Sequence, residues 1–561
     1  ALTSKTYRFK SRPWDLHRTQ TTCMQCSVGC QLHIDERHGN VLRTMSVATD
    51  DSISDGWLCD RGRYNVGFYD DERRLKTPLL RNGDEWLEID WEDAIGMWAA
   101  AIKDALTTDG TQSIGAIGGG RLLNEEALLL QDVHRKLGVT NLDWRAGRQR
   151  QATPGKRGGT NFDLENAEAI ILLGQPPAET APVLDLRIRK AVYRRGATLL
   201  VVASTAAPYP VPLRSVGSLQ QAWDLIPHGA QRIAFVWDGI DLTLGLELER
   251  SLAGVWGDRQ IVTYIPAEQP NARGAEVMGM HPNFGPGFTQ TAAGLDTSKM
   301  FERAANGGMR VLSILGANPA LHFYDGALAC RALEKTPFVV VSDLFMTQTA
   351  QSANLVLPAR ASFEKTGTTI NLSGDVLPVN AGLRPPDGTR SDLEMLICLS
   401  EALSVGLPTM AILEQRTLLH LAHDPLTFGF AAQAMCGPVA VSQPPGAGLH
   451  VAFESRIFAG GGTVAFDDRI ASLRPLPEAA FSAADACRLG LKTADYVDLK
   501  STGETLHDLL VVVRPALEEG TVVLIDGLPD EPANALPVGA PVEVVNVRKA
   551  GGELAAVGAV G

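Results

Sequence analysis

Four cysteines near the start of the chain, Cys23, Cys26, Cys30 and Cys59, constrain its fold more than any other feature. Three lie in one C-x2-C-x3-C run, TTCMQCSVGCQ, and the fourth follows after 28 intervening residues in DGWLCDRGR. Three readings are open. Free cysteines can pack separately as small core residues. Structural zinc uses four such ligands, usually as two C-x2-C pairs. A [4Fe–4S] cluster also takes four thiolates. The flanks here are polar and glycine-containing, and only one C-x2-C pair is present, so the pattern favours the cluster. It is not the two-cluster ferredoxin arrangement, because the spacing differs and Gln31 rather than proline follows Cys30. Gly29 would let the backbone approach inorganic sulfur without a Cβ in the way. Arg61 and Arg63 follow Cys59, and their guanidinium groups would offset the cluster's negative charge and raise its potential. The alternative for both is an ordinary solvated charge.

At 561 residues the chain exceeds a single core and should divide into three or four domains. The net charge of −13, from 51 basic and 64 acidic residues, argues against a nucleic-acid surface. No apolar run reaches the ~18 residues of a membrane span. Unpaired cysteines with a metal-type pattern suggest a reducing compartment such as the cytosol. No secretory signal is recognisable, and Ala1 reads as a processed or cut end.

Residues 1–15 look like a basic connecting arm. Residues 16–75 hold the cysteines and short alternating stretches, QLHIDE and NVLRTM, that suggest a small β-rich module. From 76 to 430, short apolar runs such as AIILL (169–173) and TLLVVA (198–203) alternate with helical segments at 92–106 and 124–138. The second helix reads with Asn124 as N-cap, Glu125 and Glu126 in its first turn, and Gly138 as its stop. Such alternation predicts an α/β fold of doubly wound parallel sheets. Residues 431–504 give no clear pattern. From 505 to 561, DLLVVVR, GTVVLIDG and APVEVVNVRK predict a small β-rich C-terminal domain.

Other chemistry is sparse. There is no G-x-S-x-G elbow and no H-E-x-x-H helix. His281 lies in a glycine–proline loop and reads as structural. Cys330 and Cys398 fall on apolar helical faces and read as core, while Cys436 and Cys487 are uncommitted. The turn Gly118-Gly119-Gly120 reads as a tight bend that lets a helix pack on a strand, with phosphate binding as the weaker alternative. Arg145, Arg148, Arg150, Lys156 and Arg157 form a basic patch that reads as a solvated loop or partner surface, or else as contacts to a residual ligand.

The cysteine spacing, CDRGR, PLLRNGDEWLEIDWEDAI (78–95), NEEALLLQ, SILGANPA (313–320) and DLFMTQTAQSANLVLPARASFEKTGTTIN (343–371) together resemble molybdopterin oxidoreductases. Within that superfamily the opening ALTSKTYRFKSRPWDL is similar to the large iron–sulfur subunit of the proton-translocating NADH:quinone oxidoreductase, respiratory complex I. The match spans roughly residues 1–400. The resemblance implies a [4Fe–4S] domain over 16–75, two interleaved lobes over 76–430, and a ferredoxin-like portion that would precede Ala1.

In catalytically active relatives a cysteine, selenocysteine or serine holds molybdenum a few residues after an Asn-x-Asp element. Here Asn141-Leu142-Asp143 is followed by Trp144 and Arg145, and a guanidinium has no lone pair for a metal. Ser373-Gly374-Asp375 stands where relatives carry Glu-Gly-Arg, which removes a phosphate-holding arginine. The expectation is therefore one [4Fe–4S] cluster on Cys23, Cys26, Cys30 and Cys59, no molybdopterin, and no catalytic residue in this chain. The resemblance implies an electron-transfer and scaffolding subunit of the peripheral arm of NADH:quinone oxidoreductase, with its cluster off the main electron route. Implied partners are the NADH-binding flavin subunit and the other iron–sulfur subunits, on the cytoplasmic side of the inner membrane. The alternative is an active molybdopterin enzyme such as a formate dehydrogenase.

Overall fold

The computed structural model describes residues 4–556 except 5, 48–52, 149–158, 203–208, 253–257, 268, 407–412, 414–415, 418–447, 502–503 and 551–553. Strands β1 (His17–Thr22), β2 (Gln31–Arg37) and β3 (Asn40–Ser46) form an antiparallel sheet in that order. The β2–β3 pairing shifts at Asp35/Glu36, and buried Asp35 accepts from Arg18 at 2.6 Å and Arg43 at 2.7 Å. The short helix α1 (Asp60–Tyr64) packs on β3.

Strands β4 (Leu79–Asn82) and β5 (Glu85–Glu88) form a hairpin that leads into helix α2 (Trp91–Thr108). Asp90 caps α2 by accepting from Asp93 N–H at 2.8 Å. Ala94, Ile95, Trp98, Ala99, Ile102 and Ala105 recur at helical spacing and are buried. Strand β6 (Ile114–Gly118), helix α3 (Asn124–Lys136) and strand β7 (Leu142–Asp143) follow.

The start of α3 differs from the sequence expectation by one residue. Leu123 takes the cap position, with its N–H satisfied by the Glu126 carboxylate at 2.8 Å. Asn124 lies inside the helix, where its amide donates to Thr368 Oγ1 at 3.0 Å and accepts from Asn271 at 3.0 Å. Tertiary partners override the capping preference of this residue. Gly138, at φ 81°, ends the helix as expected.

The chain then leaves for a second sheet. Strands β8 (Ala169–Leu173), β9 (Thr198–Val202), β10 (Arg214–Val216), β11 (Arg232–Trp237) and β12 (Gln260–Tyr264) are all parallel in the order β10-β9-β8-β11-β12. It returns with β13 (Val311–Leu315), β14 (Phe338–Asp343) and β15 (Leu355–Pro358) to complete the first sheet, β5-β4-β15-β14-β13-β6-β7. Burial alternates across that sheet. Ala116, Val340 and Leu355 pack against α2, α3 and the helix Asp392–Ala402. Ile117, Val341 and Val356 pack on the opposite side with the helices Thr297–Ala305 and Gly326–Lys335. The doubly wound α/β arrangement thus buries both faces of the parallel part of this sheet, β15-β14-β13-β6-β7, while β4 and β5 add an antiparallel edge.

A hairpin of β16 (Gly367–Ile370) and β17 (Val376–Val379) reaches back to the first module, where Thr22 Oγ1 donates to Pro378 O at 2.6 Å. The C-terminal region holds β18 (Leu449–Glu454), β19 (Glu478–Ser482), β20 (Tyr496–Lys500), β21 (Thr505–Arg514), β22 (Thr521–Ile525), β23 (Pro541–Arg548) and β24 (Leu554–Ala556). The order β18-β22-β19-β21-β20-β23 closes through a β23–β18 pairing into a barrel. The barrel therefore starts at Leu449, inside the stretch that shows no clear sequence pattern. A closed barrel removes exposed strand edges, but closure is a non-local pairing that strand-by-strand reading does not reveal. No helix among the described residues is long and apolar enough to cross a membrane.

Candidate functional site

The loop between β1 and β2 carries Cys23, Cys26 and Cys30, and Cys23 N–H closes it on Cys30 O at 2.8 Å. Both lobes hold it. Ser27 N–H donates to Ala267 O at 2.9 Å, Leu372 N–H donates to Ser27 O at 2.8 Å, and Ala267 N–H donates to Ser27 Oγ at 2.7 Å. Gly29 is left-handed at φ 69°, and a Cβ there would lie 2.7 Å from Leu377 Cδ1 and 2.9 Å from Asn371 Cβ. Glycine is required both by the backbone conformation and by the packing of the β16–β17 hairpin.

Cys59 is the N-cap of α1, and its sulfur accepts from Gly62 N–H at 3.5 Å. A Cβ at Gly62 would lie 3.2 Å from Cys23 Sγ, so this glycine leaves room for the helix start to face the loop. The structure thus brings all four cysteines to one place, three of them buried and Cys59 half-buried. Burial pushes the thiols of Cys23, Cys26 and Cys30 up, and the neighbouring cysteines add to the shift. Four thiolates can share such a pocket only with compensating positive charge, which the iron of a cluster would supply. Arg61, buried beside Cys26, opposes the rise at Cys23 and Cys26 and also donates to Thr180 O at 3.1 Å. Arg63 is half-buried, and its carbonyl accepts from Thr44 Oγ1 at 3.0 Å. Among the described residues no group of three or more His, Cys, Asp or Glu side chains is arranged to hold a metal ion. The converged quartet, the glycine cradle and the buried cation fit a polynuclear cluster.

Beside this loop lie two adjoining cavities of about 860 and 880 Å³, each counted out to its open mouth. Met24 and Gln25 of the cysteine loop line the first. The cavities share Arg121, Gly316, Ala317, Asn318, His322 and Gly462. Arg121 follows β6 and Gly316 follows β13, which is where the strand order of the first sheet reverses. Gln175 follows β8 and Asp238 follows β11, which is the reversal point of the second sheet. Ligands of open α/β sheets bind at such crevices. The turn Gly118-Gly119-Gly120 behind Arg121 is a packing turn. A Cβ at Gly118 would meet Leu130 of α3 at 2.8 Å, and one at Gly119 would meet Gly316 O at 2.4 Å.

The wall at 145–148 departs from the sequence expectation. Arg145 turns away from the cavities and pairs with Asp143 at 2.9 Å, both side chains largely buried. Burial acts to raise the Asp143 carboxyl, but the charge and hydrogen bond of Arg145, together with the Thr297 N–H at 2.8 Å, hold it below the usual range. Nearby Glu276 accepts from Trp144 Nε1 at 3.2 Å, and burial lifts it to about 7. The cavity wall itself is Ala146, Gly147 and Arg148. Arg148 pairs with Asp526 of the barrel at 2.7 Å and donates to Ser455 Oγ. Arg145 and Arg148 are therefore internal ion-pair partners rather than a solvated patch, while Arg150, Lys156 and Arg157 lie outside the described residues. The wall offers no thiol or hydroxyl donor at 146–148.

Ser373-Gly374-Asp375 forms the turn of the β16–β17 hairpin, with Asn371 Oδ1 accepting from Ser373 N–H at 3.1 Å and Asp375 N–H at 2.8 Å. His281 is buried, its Nδ1 accepts from Asn283 N–H at 3.1 Å, and burial lowers it to about 3, which fits a structural role. Cys330 does not belong to the core: its helix buries Ala329, Ala332 and Leu333 and leaves Cys330 exposed. Cys398 is half-buried against the core, Cys487 is exposed, and Cys436 lies outside the described residues. Sequence reasoning missed Ser27, Asn371 and Leu377 as the braces of the cysteine loop. The segment TTIN was visible as a motif, but nothing local tied it to a loop 340 residues earlier.

A family model described as molybdopterin oxidoreductase matches residues 74–233 and 269–402, and one described as molybdopterin oxidoreductase Fe4S4 domain matches 16–71. An NADH-quinone oxidoreductase subunit of Streptomyces coelicolor is 29% identical, over 89% of this chain and 66% of that protein. The alpha subunit of the NADPH-Fe(3+) oxidoreductase of Geobacter sulfurreducens is 25% identical, over 82% and 64%. The mitochondrial NADH-ubiquinone oxidoreductase 78 kDa subunit of Candida albicans is 28% identical, over 73% and 55%. The chain spans about two thirds or less of the length of these curated relatives. Acetylene hydratase from Pelobacter acetylenicus shares the fold, with a TM-score of 0.61 at 14% identity, over 94% of this chain and 99% of that one.

Proposed function

The chain belongs to the molybdopterin oxidoreductase family, and from that premise we propose that it is an iron–sulfur electron-transfer subunit of the peripheral arm of an NADH:quinone oxidoreductase, without a molybdenum centre of its own. One observation carries this reading: four neighbouring cysteines, three of them buried, lie beside a cleft whose wall at 146–148 has neither thiol nor hydroxyl. When bound, a [4Fe–4S] cluster supplies one-electron transfer. Cys23, Cys26, Cys30 and Cys59 would each hold one corner as a thiolate. Gly29 and Gly62 keep the backbone close, and Arg61 offsets the negative charge. The surrounding lobes and barrel act as a scaffold for neighbouring subunits, including an NADH-binding flavin subunit and other iron–sulfur subunits. The assembly would sit peripherally on the cytoplasmic side of the inner membrane.

Metal analysis tests the proposal. Iron near four per chain, with neither molybdenum nor tungsten, is the expected result. Stoichiometric molybdenum with pterin would overturn it and favour the second reading, an active molybdopterin enzyme such as a formate dehydrogenase, for which the retained cleft at both sheet reversals is the supporting observation. Replacing Cys30 by Ala separates conduction from stability. Retained NADH–quinone turnover in a less stable complex supports a structural cluster off the main route, and lost turnover with normal assembly rules that out.

A further inference from the structure

Glu126, Lys365 and Asp392 meet from helix α3, the turn before β16 and the helix Asp392–Ala402. Lys365 Nζ donates to Glu126 Oε2 at 2.7 Å and to Asp392 Oδ2 at 3.3 Å. All three side chains are more than nine-tenths buried. One ammonium faces two carboxylates, so the group is one positive charge short and has room for one proton. A surplus buried carboxylate is costly until it is neutralised.

Two cavities meet at this group. The cavity beside the cysteine loop is lined by Lys365 and Asp392 together with Met24 and Gln25. A third cavity, about 550 Å³ counted to its open mouth, is lined by Glu126 and Lys365. Glu126 also accepts from Leu123 N–H at 2.8 Å, and Leu123 packs on Met24 of the cysteine loop. The group thus stands between a cavity with an open mouth and the surroundings of the four cysteines.

The other charges nearby are matched. Glu125, on the same helix, accepts from Thr368 N–H at 2.9 Å and Oγ1 at 2.6 Å. Glu364 pairs with Arg74 at 2.7 Å, and Arg360 pairs with Glu394 at 2.8 Å. Asp343, on the wall of the first cavity, accepts from Leu344 N–H at 2.7 Å, and burial lifts it to about 6 against the pull of Arg121. Burial lifts Glu126 further, to about 7, against the pull of Lys365. Burial acts to lower Lys365, but the two carboxylates hold it above its ordinary value.

We propose that Glu126, held by Lys365 and Asp392, is a proton-accepting site linked to reduction of the cluster, with the third cavity as its water path. The inference rests on the iron–sulfur reading above. One electron enters the cluster from a low-potential donor, and one proton from solvent binds a Glu126 carboxylate oxygen, while Lys365 stays an ammonium. The added negative charge favours the neutral acid. At an effective dielectric constant of about 20, a charge about 12 Å away changes a proton affinity about tenfold.

Anaerobic redox titration of the full-length protein in its native assembly tests this, with dithionite as the reductant. The reduced-state electron spin resonance signal that Cys30→Ala removes identifies the cluster. Its potential should be level below pH about 7 and fall by about 59 mV in total above it, the equivalent of a tenfold change in proton affinity. Glu126→Gln should keep its iron and show one potential at every pH, and Glu125→Gln should behave as the parent. Reduced-minus-oxidised infrared spectra should gain a protonated-carboxyl band that Glu126→Gln lacks. Should Glu126→Gln fail to assemble, Glu126→Asp keeps a carboxyl and should move both the band and the pH at which the potential bends. A normal signal with a pH-independent potential overturns the inference and leaves the redox reading standing. Flattening by Asp343→Asn but not by Glu126→Gln overturns it as well. A protein without iron or signal refutes the redox reading, and this inference falls with it.

Discussion

Replacing Gly29 by alanine should destabilise the cysteine loop by about 2–5 kcal/mol, through two separable effects. The left-handed backbone at φ 69° would cost a Cβ-bearing residue about 1–2 kcal/mol. The new methyl would also lie 2.7 Å from Leu377 Cδ1 and 2.9 Å from Asn371 Cβ. Leu377 can rotate its methyl away. Asn371 cannot move easily, because its side chain holds the 371–375 turn and donates to Val28 O at 3.4 Å. Such overpacking costs about 1–3 kcal/mol. The total is a large part of the roughly 5–15 kcal/mol that holds a domain folded. The readouts are iron per chain, the rate of chromophore bleaching under a chelator, and a thermal melt. Gly29→Ala should lose iron faster and melt several degrees lower. Adding Leu377→Val should restore part of the difference, since it relieves one contact and leaves the backbone strain. Parent-like iron retention and melting in Gly29→Ala would refute the reasoning.

The Arg74–Glu364 pair is bidentate at 2.7 and 2.8 Å, with side chains 1% and 2% exposed. Arg74→Met alone should cost about 3–5 kcal/mol in denaturant unfolding, and Arg74→Met with Glu364→Leu should recover most of it. Glu126, buried with Lys365 and Asp392, is lifted to about 7 by burial against the opposing pull of Lys365. Its folded state holds a proton that the unfolded state releases above about 4.5, so stability should fall as pH rises from about 4.5 to about 7. Melting curves of Glu126→Gln should lose that part of the pH dependence. Arg61→Gln should lower the cluster potential by an amount on the order of 50 mV in a redox titration, with Arg61→Lys keeping most of it. An unchanged potential would remove Arg61 from the tuning role.

Much of this protein was legible from local pattern. The cysteine spacing already offers a four-thiolate metal site, because ligand number and donor type depend only on residue identity and short-range reach. Alternating apolar runs and amphipathic helices define a doubly wound α/β chain, because a strand buried on both faces has to be apolar throughout. Asn124 shows the limit: its side chain could cap a helix, but Thr368 and Asn271 compete for it. Cys330 shows another, since an apolar helical segment does not say which of its faces the neighbouring elements cover.

Only the tertiary structure decided that Asn371 and Leu377 brace a loop some 340 residues before them. It also decided that β23 closes on β18, and that Arg145 turns inward to Asp143 and leaves Ala146 and Gly147 as the cleft wall. Spacing along the chain dictates which groups are available and which face of an element they share. Which distant group lies opposite them depends on how separately formed units pack, and residue order carries no direct record of that.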